Sequence, residues 1–279
     1  MDDKSKRSLQ AAACRIRKGI IEGTYNARSG HPGGSLSIAD LLAYLYFEKM
    51  NVDPQKAEDP DRDRFVLSKG HCAPALYAAL ALKGYFSEGE LKKLRHIGAM
   101  LQGHPCISIK GVDMSSGSLG QGISAACGMA LAGKLDKKTY KVYTVLGDGE
   151  VEEGQVWEAA MFASHYKLDN LVAIVDYNGL QIDGRLSEVC SPEPITDKFE
   201  AFGWKVLTMD AHDMDSIEKT FAEADNTDGR PVAIIQKSIK GKGVSFMEDN
   251  VSWHGKAPNE EEYNKAMNEL DAQLKELEG

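Results

Sequence analysis

At 279 residues the chain has room for one large α/β domain or two small ones. Its 33 Lys plus Arg against 42 Asp plus Glu leave a net charge of −9 at pH 7, which excludes a broad basic face for a nucleic-acid backbone or an anionic membrane. With 42% hydrophobic and 27% charged residues the composition is neither membrane-embedded nor disordered, and the unusual count is 27 glycines.

The N-terminal MDDKSKRSLQ has no apolar segment behind its charges, so a cytoplasmic location is expected. The apolar positions Leu9, Ala13, Ile16 and Ile20 keep helical spacing up to a break at Gly23. Ser37 followed by Asp40 has capping-box spacing and leads into Ile38, Leu41, Leu42, Leu45 and Phe47, which predicts a second helix. Arg64–Ser68 reads as a short strand ending in Lys69-Gly70-His71; a helix is expected from Pro74, and Ser87 with Glu90 caps a further one. Beyond the Gly-rich stretch 98–122, the small residues up to Leu135 predict a buried helix. The strand KVYTVLG (141–147), a helical run Glu153–Tyr166 and the nearly continuous apolar strand LVAIVDY (171–177) form a βαβ unit. Trp204–Met209, a helix over Met214–Ala224 and PVAIIQKSI (231–239) continue the alternation. The expected fold class is therefore α/β, a doubly wound, mostly parallel sheet with helices on both faces. Without repeats or a Pro/Ser-rich linker, residues 1–279 are expected to form one domain. Tyr263, Met267, Leu270, Leu274 and Leu277 mark an amphipathic C-terminal helix at about 259–278, expected to pack on its own domain rather than on a partner. The five cysteines, at 14, 72, 106, 127 and 190, are scattered and without a CxxC pair, which fits reduced thiols.

Gly147-Asp148-Gly149 stands where the KVYTVL strand ends, the carboxyl edge at which open α/β sheets bind ligands. Alone it is a common turn pair. Asn178, just past the next buried strand, would be brought beside Asp148 by a single crossover. A carboxylate, an amide oxygen and a nearby main-chain carbonyl suit Mg²⁺, which completes its shell with water and phosphate oxygens. Gly149 would let the backbone approach those phosphates at the start of the following helix. A Mg²⁺-diphosphate site is expected.

This constellation resembles the thiamine diphosphate signature, and further motifs narrow it: SGHPGGSLS (29–37), LSKGH (67–71), QGHP (102–105), SGSLGQG (116–122), GDGEVEEGQVWEA (147–159), YNGLQIDG (177–184) and SWHGKAP (252–258). From about residue 9 to residue 263 the sequence resembles the N-terminal, diphosphate-binding half of the transketolase family, whose fold is the PP domain of thiamine diphosphate enzymes. The resemblance implies that Asp148, the Asn178 side chain and the Leu180 carbonyl bind the metal, Mg²⁺ with Ca²⁺ or Mn²⁺ as substitutes. Gly149, His71 and His254 would contact the diphosphate, and Gly117, Leu119 and Ile182 would line the cofactor's rings. His31, His71, His104 and His254 match the histidines that family members gather around the reactive carbon and the sugar hydroxyls; four of the seven histidines here fall in Gly-flanked loops. Glu153 and Glu158 match a carboxylate network at a dimer interface that links paired active sites, whereas Glu150 and Glu152 are expected only as carboxylates favoured near a helix N-terminus. His96, His165 and His212 match no motif and are expected at the surface.

In full-length transketolases a second domain supplies the glutamate that activates the cofactor, the aromatic surface it stacks on and most of the residues that hold the sugar phosphate. No counterpart of that domain is found in this sequence. The resemblance therefore implies the N-terminal subunit of a split transketolase. It would transfer a two-carbon ketol unit from a ketose phosphate to an aldose phosphate, and only with a C-terminal, pyrimidine-binding partner subunit, two copies of each chain assembling. Three alternatives stand beside it: a split transketolase for a sulfonated or branched sugar, the α subunit of a 2-oxoacid dehydrogenase, and a cofactor-holding subunit without turnover. SGHPGG, LSKGH and SWHGKAP disfavour the second, and the four intact histidines disfavour the third.

Overall fold

The computed structural model describes residues 1–279. In chain order the elements are α1 (Asp3–Ala27), α2 (Pro32–Leu36), α3 (Ala39–Tyr44), β1 (Arg64–Leu67), α4 (Ala73–Lys83), α5 (Gln121–Leu135), β2 (Val142–Gly147), α6 (Gly154–His165), β3 (Leu171–Tyr177), β4 (Leu180–Gln181), β5 (Gly184–Arg185), α7 (Leu186–Val189), α8 (Ile195–Ala201), β6 (Lys205–Asp210), α9 (Met214–Asp225), β7 (Val232–Lys237) and α10 (Glu260–Glu278).

Five strands form one all-parallel sheet in the order β1-β2-β3-β7-β6, and β4 with β5 makes a separate two-stranded hairpin. The central strands are buried on both faces because alternate side chains enter different cores. Tyr143, Val145, Val172 and Ile174 join the larger core with residues of α1, α3, α4, α9 and α10. Val142, Leu146, Ala173 and Val175 join the smaller one with residues of α5, α6 and α8. The alternation of strands and helices thus becomes a doubly wound sheet. No helix is long and apolar enough to cross a membrane. The amphipathic face of α10 lies on α1, where the Tyr25 and Tyr263 rings stack at 4.1 Å and Lys18 and Arg15 pair with Asp271 and Glu278.

Four local expectations are corrected. Ser37 does not cap α3: its hydroxyl donates to Asp176 Oδ2 (2.7 Å) with Gly34 O also 2.9 Å away, and Asp40 turns away to Arg17 and His212. Ser87 accepts from Gly89 N (3.3 Å), but the segment it caps, Glu88–Lys93, is a 3-10 turn and not an α-helix. The small residues of α5 bury only one face, Gly122, Ile123, Ala126, Cys127, Ala130 and Gly133, and Leu135 stays 73% exposed. His212 is not a free surface side chain, since Asp40 Oδ2 lies 2.8 Å from its Nδ1.

α5 reaches the edge of the sheet because Gly122 has no side chain: a Cβ there would stand 2.5 Å from Ser68 Cα. Gly122→Ala must therefore push the helix off the end of β1. A loss of about 3 kcal/mol, the upper range for overpacking, is expected in urea unfolding. A midpoint equal to that of the wild type would show that this contact relaxes freely.

Candidate active site

Parallel strands end on one edge, so the loops after β1, β2, β3 and β7 open together. They deliver Lys69 and His71, Asp148 and Gly149, Asn178, and Lys240 to one cavity of about 360 Å³. His31 joins from the start of α2, His254 from the 3-10 turn Val251–Trp253, and Leu180, Gln181 and Ile182 from the β4 hairpin.

Asp148 is 3% exposed. Its Oδ2 accepts from the amides of Asn178 (2.8 Å) and Gly179 (2.6 Å), and its Oδ1 from Gly149 N (3.0 Å). Gly179 makes this wrap possible at φ +77, a conformation that side-chain-bearing residues resist. Burial and the nearby Asp176 carboxylate push the Asp148 carboxyl up to about 6, against the backbone donors that favour its charge. Asn178 Oδ1 accepts from Leu180 N (3.2 Å), and the Leu180 carbonyl accepts from Lys240 Nζ (2.8 Å). Each of these oxygens keeps a further lone pair. A carboxylate whose charge is disfavoured, an amide oxygen and a carbonyl form a hard-oxygen set, the chemistry that a divalent cation such as Mg²⁺ requires.

The positive charge of the cavity is carried by two lysines, Lys69 and Lys240. Lys69, 2% exposed, donates to Asp176 Oδ2 (2.6 Å) and Gly34 O (2.8 Å). Burial opposes its charge, but Asp176 more than offsets that and raises its pKa. Asp176 itself, fully buried, also accepts from Ser37, Gln236 and Ser238 and is held below the usual carboxylate range: burial works against it, Lys69 for it. Lys240 lies 3.0 Å from His254 Nδ1, and burial lowers its pKa. Cationic groups next to a hard-oxygen set fit a ligand that is anionic and metal-bridged, as a diphosphate is.

The rings of His31, His71 and His254 form a triangle with centroid separations of 5.2, 5.5 and 5.4 Å. Burial is the largest cause that depresses all three, to about 4, about 4 and about 3, with neighbouring cations and imidazoles adding to it. All three are therefore neutral near pH 7. Lys240 donates to His254 Nδ1, so the neutral ring carries its proton on Nε2. His31 Nδ1 is buried with no partner in the protein, an atom that a ligand group would satisfy.

Of the residues named from the sequence, His31, His71, Gly117, Leu119, Asp148, Gly149, Asn178, Leu180, Ile182 and His254 line the cavity. Leu119 and the 65%-exposed Ile182 stand at its rim with apolar surface uncovered. His104 is outside the lining but adjacent: a Cβ on Gly117 would meet its ring at 3.1 Å. Glu153, at the N-cap of α6, and Glu158, within that helix, are exposed and do not enter the cavity. Glu150 departs from its expected role near a helix end: 2% exposed, it accepts from Ser68 Oγ, Gly120 N (2.8 Å) and Gly147 N (2.9 Å), bracing three loops. Glu152 accepts from Gln181 Nε2 (3.1 Å), which holds Gln181 over the cavity. Lys69, Lys240, Gln181 and Asp183 line the cavity and had no assigned role in the sequence. The available signals were a lysine following an apolar strand in RFVLSKGH and one in the Gly-flanked KGKG after PVAIIQKSI.

Residues 8–276 match the family model described as "Transketolase, thiamine diphosphate binding domain". The chain is 45% identical over 271 residues to one of the subunits of the apulose-4-phosphate transketolase of Phocaeicola vulgatus, covering 97% of this chain and 96% of that one. It is 49% identical over 265 residues to the 6-deoxy-6-sulfo-D-fructose transketolase subunit SqwG of a Clostridium species, with 94% and 96% covered. Human transketolase is 46% identical over 256 residues, which are 91% of this chain but 41% of the human one. The solved transketolase of Campylobacter jejuni superposes with a TM-score of 0.88 at 30% identity, covering 99% of this chain and 46% of that chain.

The depressed imidazoles make stability depend on pH. Between the unfolded value of 6.5 and the folded values of about 4 and about 3, the unfolded chain binds more protons, so the contribution of these rings is complete above pH 6.5 and is lost as pH falls. Unfolding free energies are expected to climb from about pH 4 to 6.5, and His254→Gln to flatten that climb. Equal slopes for the variant and the wild type would contradict the assignment.

Proposed function

Because the chain belongs to the transketolase thiamine diphosphate-binding domain family, we propose that it is the cofactor-holding subunit of a split transketolase. Joined to a second chain that brings the pyrimidine-binding half, it would move a two-carbon ketol unit from a ketose phosphate to an aldose phosphate. The supporting observation is the cavity: one hard-oxygen set, two buried lysines and three neutral imidazoles converge at the carboxyl edge of the sheet. The spans of the relatives agree, since two transketolase subunits are matched over nearly their whole length and the single-chain enzymes over less than half.

Asp148, the Asn178 side chain and the Leu180 carbonyl would hold Mg²⁺, with Lys69, Lys240, His71 and the Gly149 backbone around the diphosphate. When bound, thiamine diphosphate supplies the nucleophilic carbon and electron sink that side chains lack. The protein's share is orientation and proton handling. His254 would present its Nε2–H to a sugar hydroxyl, and His31 Nδ1 would take a hydrogen bond or a proton from one. His104, at the edge beside Gly117, would meet the part of the sugar farther from the metal. Leu119 and Ile182 would be covered by the cofactor rings and the partner subunit. Glu153 and Glu158, exposed along the start of α6, would meet their counterparts across an interface in an assembly of two copies of each chain.

A second reading, a branched or sulfonated sugar in place of a common sugar phosphate, draws on the names of the two subunit relatives. Residues that select the acidic tail of the sugar would sit on the partner in either case.

A coupled assay with thiamine diphosphate, Mg²⁺, xylulose 5-phosphate and ribose 5-phosphate, with and without the chain encoded beside this one, tests the proposal. Turnover is expected only in the mixture, and Asp148→Ala is expected to abolish it. Cofactor binding by the mixture with no turnover would select the unusual sugar. Turnover by this chain alone would overturn the split arrangement.

A further inference from the structure

A buried ionic triad lies behind the Lys240 loop. Arg17 of α1 and Asp40 of α3, each 6% exposed, are joined through both guanidinium Nη atoms, with Nη1–Oδ1 at 3.2 Å. Asp40 Oδ2 lies 2.8 Å from Nδ1 of His212, in the turn between β6 and α9. The other ring nitrogen of His212, Nε2, accepts from the Ile239 amide (3.0 Å). A ring whose Nε2 accepts must carry its proton on Nδ1, so it donates to Asp40 and its tautomer is set by the contacts on both sides. Arg17 also donates from Nε to Lys242 O (2.9 Å). One triad therefore grips the backbone one residue before and two residues after Lys240. The side chain between those grips reaches Leu180 O and His254 Nδ1 in the cavity.

We propose that Arg17, Asp40 and His212 form a positioning network that sets where the Lys240 ammonium stands, and through it the affinity for the anionic end of the ligand. The clamp follows from hydrogen bonds alone; only its link to the ligand rests on the functional reading above. None of the three residues lines the cavity, so they act through the loop and not on substrate.

His212→Leu removes both ring nitrogens with little change of bulk, while His212→Gln can return an acceptor near the Nε2 position. Two measurements decide: hydrogen exchange of the amides of residues 238–242 in the full chain, and the dissociation constant for thiamine diphosphate at saturating Mg²⁺ in the mixture of the full chain with the chain encoded beside it. In His212→Leu, exchange in that segment is expected to speed up about tenfold with the rest of the chain unchanged. Affinity is expected to fall by about fivefold to tenfold, the scale of one lost or misaligned hydrogen bond to a charged group, and His212→Gln should restore both. Unchanged exchange, or exchange that His212→Gln fails to restore, would overturn the clamp. Unchanged affinity, against a wild type that binds, would overturn its link to the ligand. Faster exchange together with no binding even by the wild type would uphold the clamp and sink the functional reading instead.

Discussion

The structure depends on one buried ion pair. Asp176, next to last in the central strand β3, has no solvent contact, and Lys69, just past the end of β1, is the cation that answers it. Such a pair is costly to desolvate and is tolerated only where further hydrogen bonds satisfy the charges. Here Ser37, Gln236 and Ser238 also donate to the carboxylate and Gly34 O takes a second proton of the ammonium, which keeps a third, so the start of the chain, β1, β3 and β7 are tied at one point. That point is the floor of the cavity. Removing either charge would strand the other in the core, and the loops that carry Asp148 and Lys240 would lose their common reference.

The same region explains why three imidazoles close together stay neutral. Two lysines and the rings themselves oppose protonation, and burial opposes it more. The negative groups are engaged elsewhere: Asp176 with Lys69, Glu150 with backbone amides. A site arranged in this way offers hydrogen-bonding nitrogens to uncharged hydroxyls while it keeps fixed positive charge for phosphate oxygens.

Much of this was legible in the sequence because it was written in period. The apolar runs 141–147 and 171–177 allowed little other than buried parallel strands, and strand ends then located Asp148 and Asn178 on one edge. Asp176 was passed over: a lone carboxylate inside an apolar strand does not show which cation will answer it. Residues that work through tertiary pairing left no periodic trace. His212 resembles any exposed turn histidine until α3 brings Asp40 to it, and Glu150 resembles a helix-end carboxylate until three loops close on it. Ser37 misled for the same reason: the spacing of a cap was present, but a distant carboxylate competed for the hydroxyl and won. The exposed side of α5 went unseen because glycine and alanine look alike whether they face a core or a boundary.

The strand order has a consequence for how the chain comes to be folded. In β1-β2-β3-β7-β6, every neighbour is reached by a crossover: Arg64 pairs with Val142, and Val172 with Val232. No hairpin of the main sheet can form early and hold, so loop closure must be met before the contacts that reward it, a topology that folds slowly. Until β7 docks, Asp176 lacks the donors Gln236 and Ser238, and its buried carboxylate is only partly satisfied by Lys69 and Ser37. Synthesis from the N-terminus reaches β7 after the other four strands of the main sheet, so the ligand-binding edge is assembled last, after most of the sheet that supports it.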